Sequence, residues 1–157
     1  MSPRTPSKVL AIDPGYDRVG IAVMSGNTLL FSECFSPPKG TLSMRLGKIF
    51  EKTQELIAIH EPNTLALETL FFSKNQKTAI AVAEARGVII AAAATRGIPV
   101  CEYSPQAVKI AVTGSGNAAK DGVIRMVEKL IVLPKKKRLD DEYDAIALAI
   151  AHQAVLR

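Results

Sequence analysis

The sequence predicts an α/β fold built on a mixed five-stranded sheet, with three antiparallel strands, then parallel ones, and helices flanking it. Three observations predict this. Residues 8–35 hold three short apolar runs separated by turn chemistry, residues 42–103 alternate helical periodicity with short apolar runs, and the chain closes on a long helical pattern beginning near residue 140. The 157 residues suit one domain, 1–157, with a real core, and no internal repeat or linker divides it.

Strands are expected at 8–13, 19–24 and 28–35, joined by "PGYD" and "SGN" turns. "SPPKG" at 36–40 breaks the pattern. Leu42, Leu46, Ile49, Phe50, Thr53, Leu56 and Ile57 then recur at helical spacing, giving an amphipathic helix that stops before Pro62. "NTLALE" at 63–68 suits a buried parallel strand. Residues 75–95 predict a helix whose only charged residues between Ala79 and Ala94 are Glu84 and Arg86, so burial on more than one side is expected. "GIPVCEY" at 97–103 reads as the last strand. Ser104 is a natural N-cap, with Pro105 at the first helical position. A glycine-bearing loop leads to a helix at 121–131, and "LPKKKR" is a polar loop before the final helix.

Hydrophobic residues make up 48% of the chain and charged residues 22%, the composition of a globular protein and not of a disordered one. A net charge of +5, from 20 basic and 15 acidic side chains, permits a nucleic-acid partner without requiring one. Cys34 and Cys101 form no CxxC pair, which argues against zinc or a disulfide framework and for reduced thiols in the cytoplasm. "MSPRTPS" lacks the apolar segment of a signal peptide, so residues 1–7 are expected to be a short flexible lead. The longest apolar run, Val88 to Ala94, is far too short to span a bilayer, and no membrane partner is expected.

The chemistry is concentrated in carboxylates. Asp13 ends the first strand and Glu68 the fourth, and in open α/β sheets sites form at the carboxyl ends of central strands. Asp141 and Asp144, spaced i, i+3, share one face of the last helix. Asp140, at i, i+4 from Asp144, satisfies the same rule, and spacing alone does not separate Asp140 from Asp141. Each residue also has a plain structural explanation: Asp13 shaping its turn, Glu68 ending a strand, and the aspartates complementing a helix dipole. Together they are four carboxylates that repel one another unless a cation lies between them. Ligation by oxygen alone suits Mg²⁺ or Mn²⁺, and a pair of such ions is the apparatus of phosphodiester hydrolysis. The loop "GSGNAAK" lacks the Gly-Lys-Ser/Thr ending of an ATP-binding P-loop and does not follow the first strand.

In "IDPGYDRVGIAV", "LETLFFSKN" followed by "EARGVIIAAAA", "YSPQAVKIAVTGSGNAAK" and "DDEYDAIALAIAH", the sequence resembles the RuvC-type Holliday junction resolvases, which have a ribonuclease H-like fold. The likeness runs from about Lys8 to Gln153. It implies a structure-selective endonuclease of recombination and DNA repair. Asp13, Glu68, Asp141 and Asp144 would bind two Mg²⁺ ions, with Mn²⁺ able to substitute, and Asp141 is selected over Asp140 by analogy. Phe71 matches an aromatic placed against unstacked bases, a contact worth about 1–3 kcal/mol. Phe72 beside it is as well explained by the core. Lys109 and Lys120 match basic residues near the cleaved strand, with Lys120 assisting catalysis, and Lys74 is expected to contact DNA as well. The implied partners are four-way junction DNA, a second copy of the chain joined through the helix at 75–95, and a branch-migration motor complex.

The YqgF-type RNA-processing proteins carry a very similar opening motif, so a nuclease acting on ribosomal RNA precursors is the alternative reading. The later motifs, in their order and spacing, favour the resolvase. A non-catalytic junction-binding module is a third reading, and the presence of all four carboxylates counts against it. "PKKKR" at 134–138 is either a solvated loop or a clamp on backbone phosphates.

Overall fold

The computed structural model describes residues 5–15, 17–70 and 76–156. The elements in chain order are β1 (Lys8–Pro14), β2 (Val19–Ser25), β3 (Thr28–Phe35), α1 (Leu42–His60), β4 (Thr64–Glu68), α2 (Gln76–Ala94), β5 (Val100–Tyr103), α3 (Pro105–Thr113), α4 (Lys120–Leu130) and α5 (Asp140–Val155). They form one sheet in the order β3-β2-β1-β4-β5. β1 pairs antiparallel with β2 and β2 with β3, whereas β1–β4 and β4–β5 are parallel. The predicted architecture is the observed one.

Local chemistry sets the boundaries. Gly26 takes φ 55° in the β2–β3 turn, a conformation that costs glycine little. The side chain of Thr41 accepts from the Met44 backbone N–H at the start of α1, and Glu61, in the left-handed region, ends it ahead of Pro62. Ser104 caps α3 by accepting from the Ala107 N–H, as its position before Pro105 predicts. Cys34 and Cys101 are free thiols.

The period-2 alternation of the strands divides the core into two layers. Leu10, Ile12, Ile21, Val23, Leu65 and Leu67 face one side, where they meet α1 and α2 through Ile49, Leu56, Ala85 and Ile89. Val9, Ala11, Ala22, Met24 and Ala66 face the other, against the alanine-rich body of α5 and the apolar stripes of α3 and α4. Ala11 pairs with Ala66 and Ile12 with Leu67. Continuing that alternation, Asp13 and Glu68 fall on the α5 side of the sheet. A slip of one residue in either strand would turn its carboxylate to the opposite layer.

The helix at 75–95 departs in part from expectation. α2 buries Ala79, Ala81, Ala85, Ile89, Ala92 and Ala93 against the rest of the chain. Its opposite face, with Ile80, Ala83, Gly87, Ala91 and Ala94, is exposed, so within one chain α2 is covered on one side only. Among the described residues no helix is long and apolar enough to cross a membrane.

Candidate active site

Three elements distant in sequence bring the carboxylates together. One oxygen each from Asp13, Asp141 and Asp144 lies within 4.8 Å of the others. Asp13 arrives on the end of β1, and Asp141 and Asp144 on the first two turns of α5. Glu68, at the end of β4, hydrogen-bonds Asp13 from the parallel neighbour but is not one of the three whose oxygens converge. Asp140 stays outside: its side chain is largely exposed and approaches Lys120 at 3.5 Å. The geometry therefore separates the two aspartates that spacing left equivalent.

α5 reaches this position because β2 makes room for it. Gly20 is the pairing partner of Asp13, and a Cβ on Gly20 would lie 1.9 Å from the Asp141 carbonyl oxygen. The N-cap position of α5, Leu139, offers no side-chain cap, so tertiary contacts must hold this turn. One contact is Glu142, which is buried between the two aspartates in sequence. Ser32 Oγ donates to its Oε1 at 2.6 Å, Lys136 Nζ lies 2.7 Å from the same oxygen, and Arg138 Nε 3.4 Å. Lys136 also donates to the Ser32 carbonyl, and Arg138 to that of Pro134. Two of the four basic side chains in "PKKKR" thus point inward and strap the loop to β3 and α5.

The electrostatics follow from crowding like charges in a half-buried site. Burial pushes the Asp13 carboxyl up to about 9, reinforced by its hydrogen bond to Glu68 and by the charges of Glu68 and Asp141. Burial also raises Asp144, to about 6, with the Asp13 charge adding to it and Lys120 opposing. Glu68 is raised mainly by burial. Burial works against the Lys120 ammonium, but Asp144 and Asp140, at 3.4 and 3.5 Å, outweigh it and raise its pKa. Without a cation the group resists full ionisation. An all-oxygen donor set that resists its own charge fits a hard divalent cation.

Two clefts of about 220 Å³ each flank Glu68. Lys109, Lys120 and Asp144 line one, and Asp13, Thr78 and Arg86 the other. Arg86 Nε donates to the Glu68 carbonyl at 3.1 Å while its guanidinium pairs with Glu102, so it fixes the backbone that carries Glu68. Sequence reasoning missed Arg86, Glu142 and Gly20. It also missed Arg18, whose Nε lies 3.0 Å from Asp141 Oδ2. Only the i, i+4 spacing of Arg138 and Glu142 gave a local signal, and it does not tell a buried pair from an exposed one. Phe71, Phe72 and Lys74 lie outside the described residues.

A mixed sheet of this order, with carboxylates at the ends of its two central strands and a helix bringing two more, defines a ribonuclease H-like protein with an acidic centre. The family model for crossover junction endodeoxyribonuclease RuvC matches residues 9–152. The crossover junction endodeoxyribonuclease RuvC of Moorella thermoacetica is 47% identical over 149 residues, covering 92% of this chain and 89% of that protein. That of Syntrophomonas wolfei is 39% identical over 150 residues, covering 92% and 87%. The T. thermophilus RuvC structure in complex with Holliday junction substrate superposes with a TM-score of 0.89 at 32% identity, covering 96% of this chain and 95% of that one. The yeast mitochondrial Holliday junction resolvase Ydc2, at 15% identity and a TM-score of 0.71, shares the fold. The chain belongs to the RuvC family of crossover junction endodeoxyribonucleases.

Proposed function

We propose that this chain resolves Holliday junctions by paired, symmetric phosphodiester hydrolysis, with Asp13, Glu68, Asp141 and Asp144 holding Mg²⁺, for which Mn²⁺ substitutes. The observation that carries this reading is the convergence of Asp13, Asp141 and Asp144 within 4.8 Å at the end of the central strands. Divalent ions held by these carboxylates would supply activation of water and stabilisation of the leaving oxygen in an in-line displacement. Glu68, hydrogen-bonded to Asp13, completes the donor set from the neighbouring strand. Lys120 and Lys109 line the adjoining cleft, where their ammonium groups position a backbone phosphate, and Lys120 compensates developing charge at the cleaved bond. Phe71 and Lys74 are the further DNA contacts that family membership implies.

The second copy of the chain is accommodated on the exposed face of α2. Ile80, Ala83, Gly87, Ala91 and Ala94 form a stripe of small and apolar side chains, suited to close helix packing about a two-fold axis. Two sites related by that axis cut opposite strands of a four-way junction, leaving ends a ligase can seal. A branch-migration motor complex is the further partner, and the place of action is the cytoplasm, where the chromosome is.

The test is cleavage of a synthetic four-way junction in Mg²⁺, run against linear duplex and structured RNA, with Asp13→Asn in parallel. Symmetric junction nicks that vanish in the variant support the resolvase. Cleavage of RNA instead points to an RNA-processing nuclease, and junction binding without cutting in Mg²⁺ or Mn²⁺ to a binding module.

A further inference from the structure

We infer that Arg18 is an internal counter-ion that neutralises Asp141 until a divalent ion displaces it, and so sets how much metal the site demands. The inference rests on the reading that the acidic group binds metal. Arg18 Nε is 3.0 Å from Asp141 Oδ2, an oxygen that is buried yet receives no hydrogen bond. The pair is therefore held by charge without an aligned N–H, which leaves it weaker than a forked arginine–carboxylate contact. Its two ends are also unequal. The Arg18 side chain is 48% exposed and that of Asp141 23%, so the guanidinium can leave for water while the carboxylate stays.

Close backbone contacts flank the pair. A Cβ on Gly15 would lie 2.2 Å from the Arg18 carbonyl oxygen, so the backbones of these two residues approach closely. Val19 is buried, and Gly20 underlies the Asp141 carbonyl. The turn thus delivers the arginine stem to the edge of the acidic group and leaves its head movable. Lys120 occupies the corresponding place beside Asp144 but also pairs with Asp140, whereas Arg18 is paired with Asp141. A divalent ion held by Asp141 would repel the guanidinium, which a backbone phosphate of bound DNA would then attract. Metal loading and junction binding then favour one another through one side chain.

The sign of the effect distinguishes this role from a structural one. Mn²⁺ binding is measured by calorimetry, without DNA, on the wild type, Arg18→Met and Arg18→Lys. Removing the competing charge should tighten Mn²⁺ binding by about threefold to tenfold in Arg18→Met. Arg18→Lys should stay near the wild type. Equal or weaker binding by Arg18→Met overturns the counter-ion role. Failure of the wild type itself to bind Mn²⁺ overturns the underlying metal reading, a separate outcome. A second measurement needs no neutral variant: the Arg18 Nε–H resonance of the wild type, assigned by its absence in Arg18→Lys, should shift as diamagnetic Mg²⁺ is added. A resonance that does not move overturns the inference.

Discussion

Gly20 and Asp141 touch where no other residue would allow it: the glycine faces the aspartate's carbonyl oxygen, and a Cβ there would come within 1.9 Å. Because Gly20 pairs with Asp13, the same contact sets the distance between the strand that supplies one carboxylate and the helix that supplies two. Gly20→Ala should push the first turn of α5 outward while leaving the sheet formed. Overpacking of this kind costs about 1–3 kcal/mol of stability. A shift of about 1 Å at the reacting centre costs on the order of a hundredfold in rate. Thermal unfolding and single-turnover junction cleavage, measured together, should show a modest loss of the first and a large loss of the second.

The raised carboxyl groups predict how metal-free protein responds to pH. Asp144 rises from 3.8 to about 6, and Asp13, buried and hydrogen-bonded to Glu68, from 3.8 to about 9. Over those ranges the folded state holds protons that the unfolded chain has released. Stability without metal therefore falls as pH rises from about 4, through the Asp144 range and on to about 9, above which the full penalty applies. Mg²⁺ should reverse the trend, because ligation needs ionised carboxylates, so the stabilisation it confers grows with pH. Melting curves at several pH values, with Mg²⁺ and with EDTA, check both slopes. Asp13→Asn should flatten the EDTA series and abolish cleavage.

Glu142 holds two cations and a hydroxyl in a nearly closed space, and the Arg138 side chain beside it is only 3% exposed. Glu142→Ala leaves that guanidinium buried without its partner and should destabilise the fold by about 3–5 kcal/mol. Glu142→Gln, which can still accept from Ser32, should cost less. Denaturant unfolding of both variants gives the comparison.

The same network divides the basic loop by function. Lys136 is turned toward Glu142, whereas Lys135 and Lys137 take no part in that network and are exposed. Lys135→Ala and Lys137→Ala should each lower the salt dependence of junction binding by about one counterion and leave the melting temperature unchanged. Lys136→Ala should lower the melting temperature. Binding titrations over a salt series, beside melts, separate the two kinds of lysine.

The outer face of α2 predicts an oligomeric state. Ile80 is 59% exposed in a helix with few charges. Ile80→Glu should yield a folded monomer by light scattering that loses paired cuts on a four-way junction.

The strands and helices were legible because alternation and capping are local: "KVLAID" shows which side chains share a face, and Ser104-Pro105 announces its helix. Asp13 and Glu68 were legible for the same reason, each continuing an apolar strand by one polar step. Asp140 and Asp141 were not separable, because both obey helical spacing and only the docking of α5 on β2 turns one inward. Arg18 and Arg86 have partners far away in sequence, and the spacing of Glu142 from Arg138 does not reveal that the pair is buried. α2 read as buried on several sides because composition shows that a face is apolar and not whether the chain covers it.

The dependence of the acidic centre on α5 has a consequence for biosynthesis. A chain emerging from the ribosome has its sheet order determined once β5 is made, yet it holds two of the four carboxylates and leaves Val9, Ala11, Ala22 and Met24 without their covering layer. The element that seals that layer is the one that delivers Asp141 and Asp144. The acidic group is therefore complete only when α5 docks on the sheet, so its assembly and the closure of that core layer are one event.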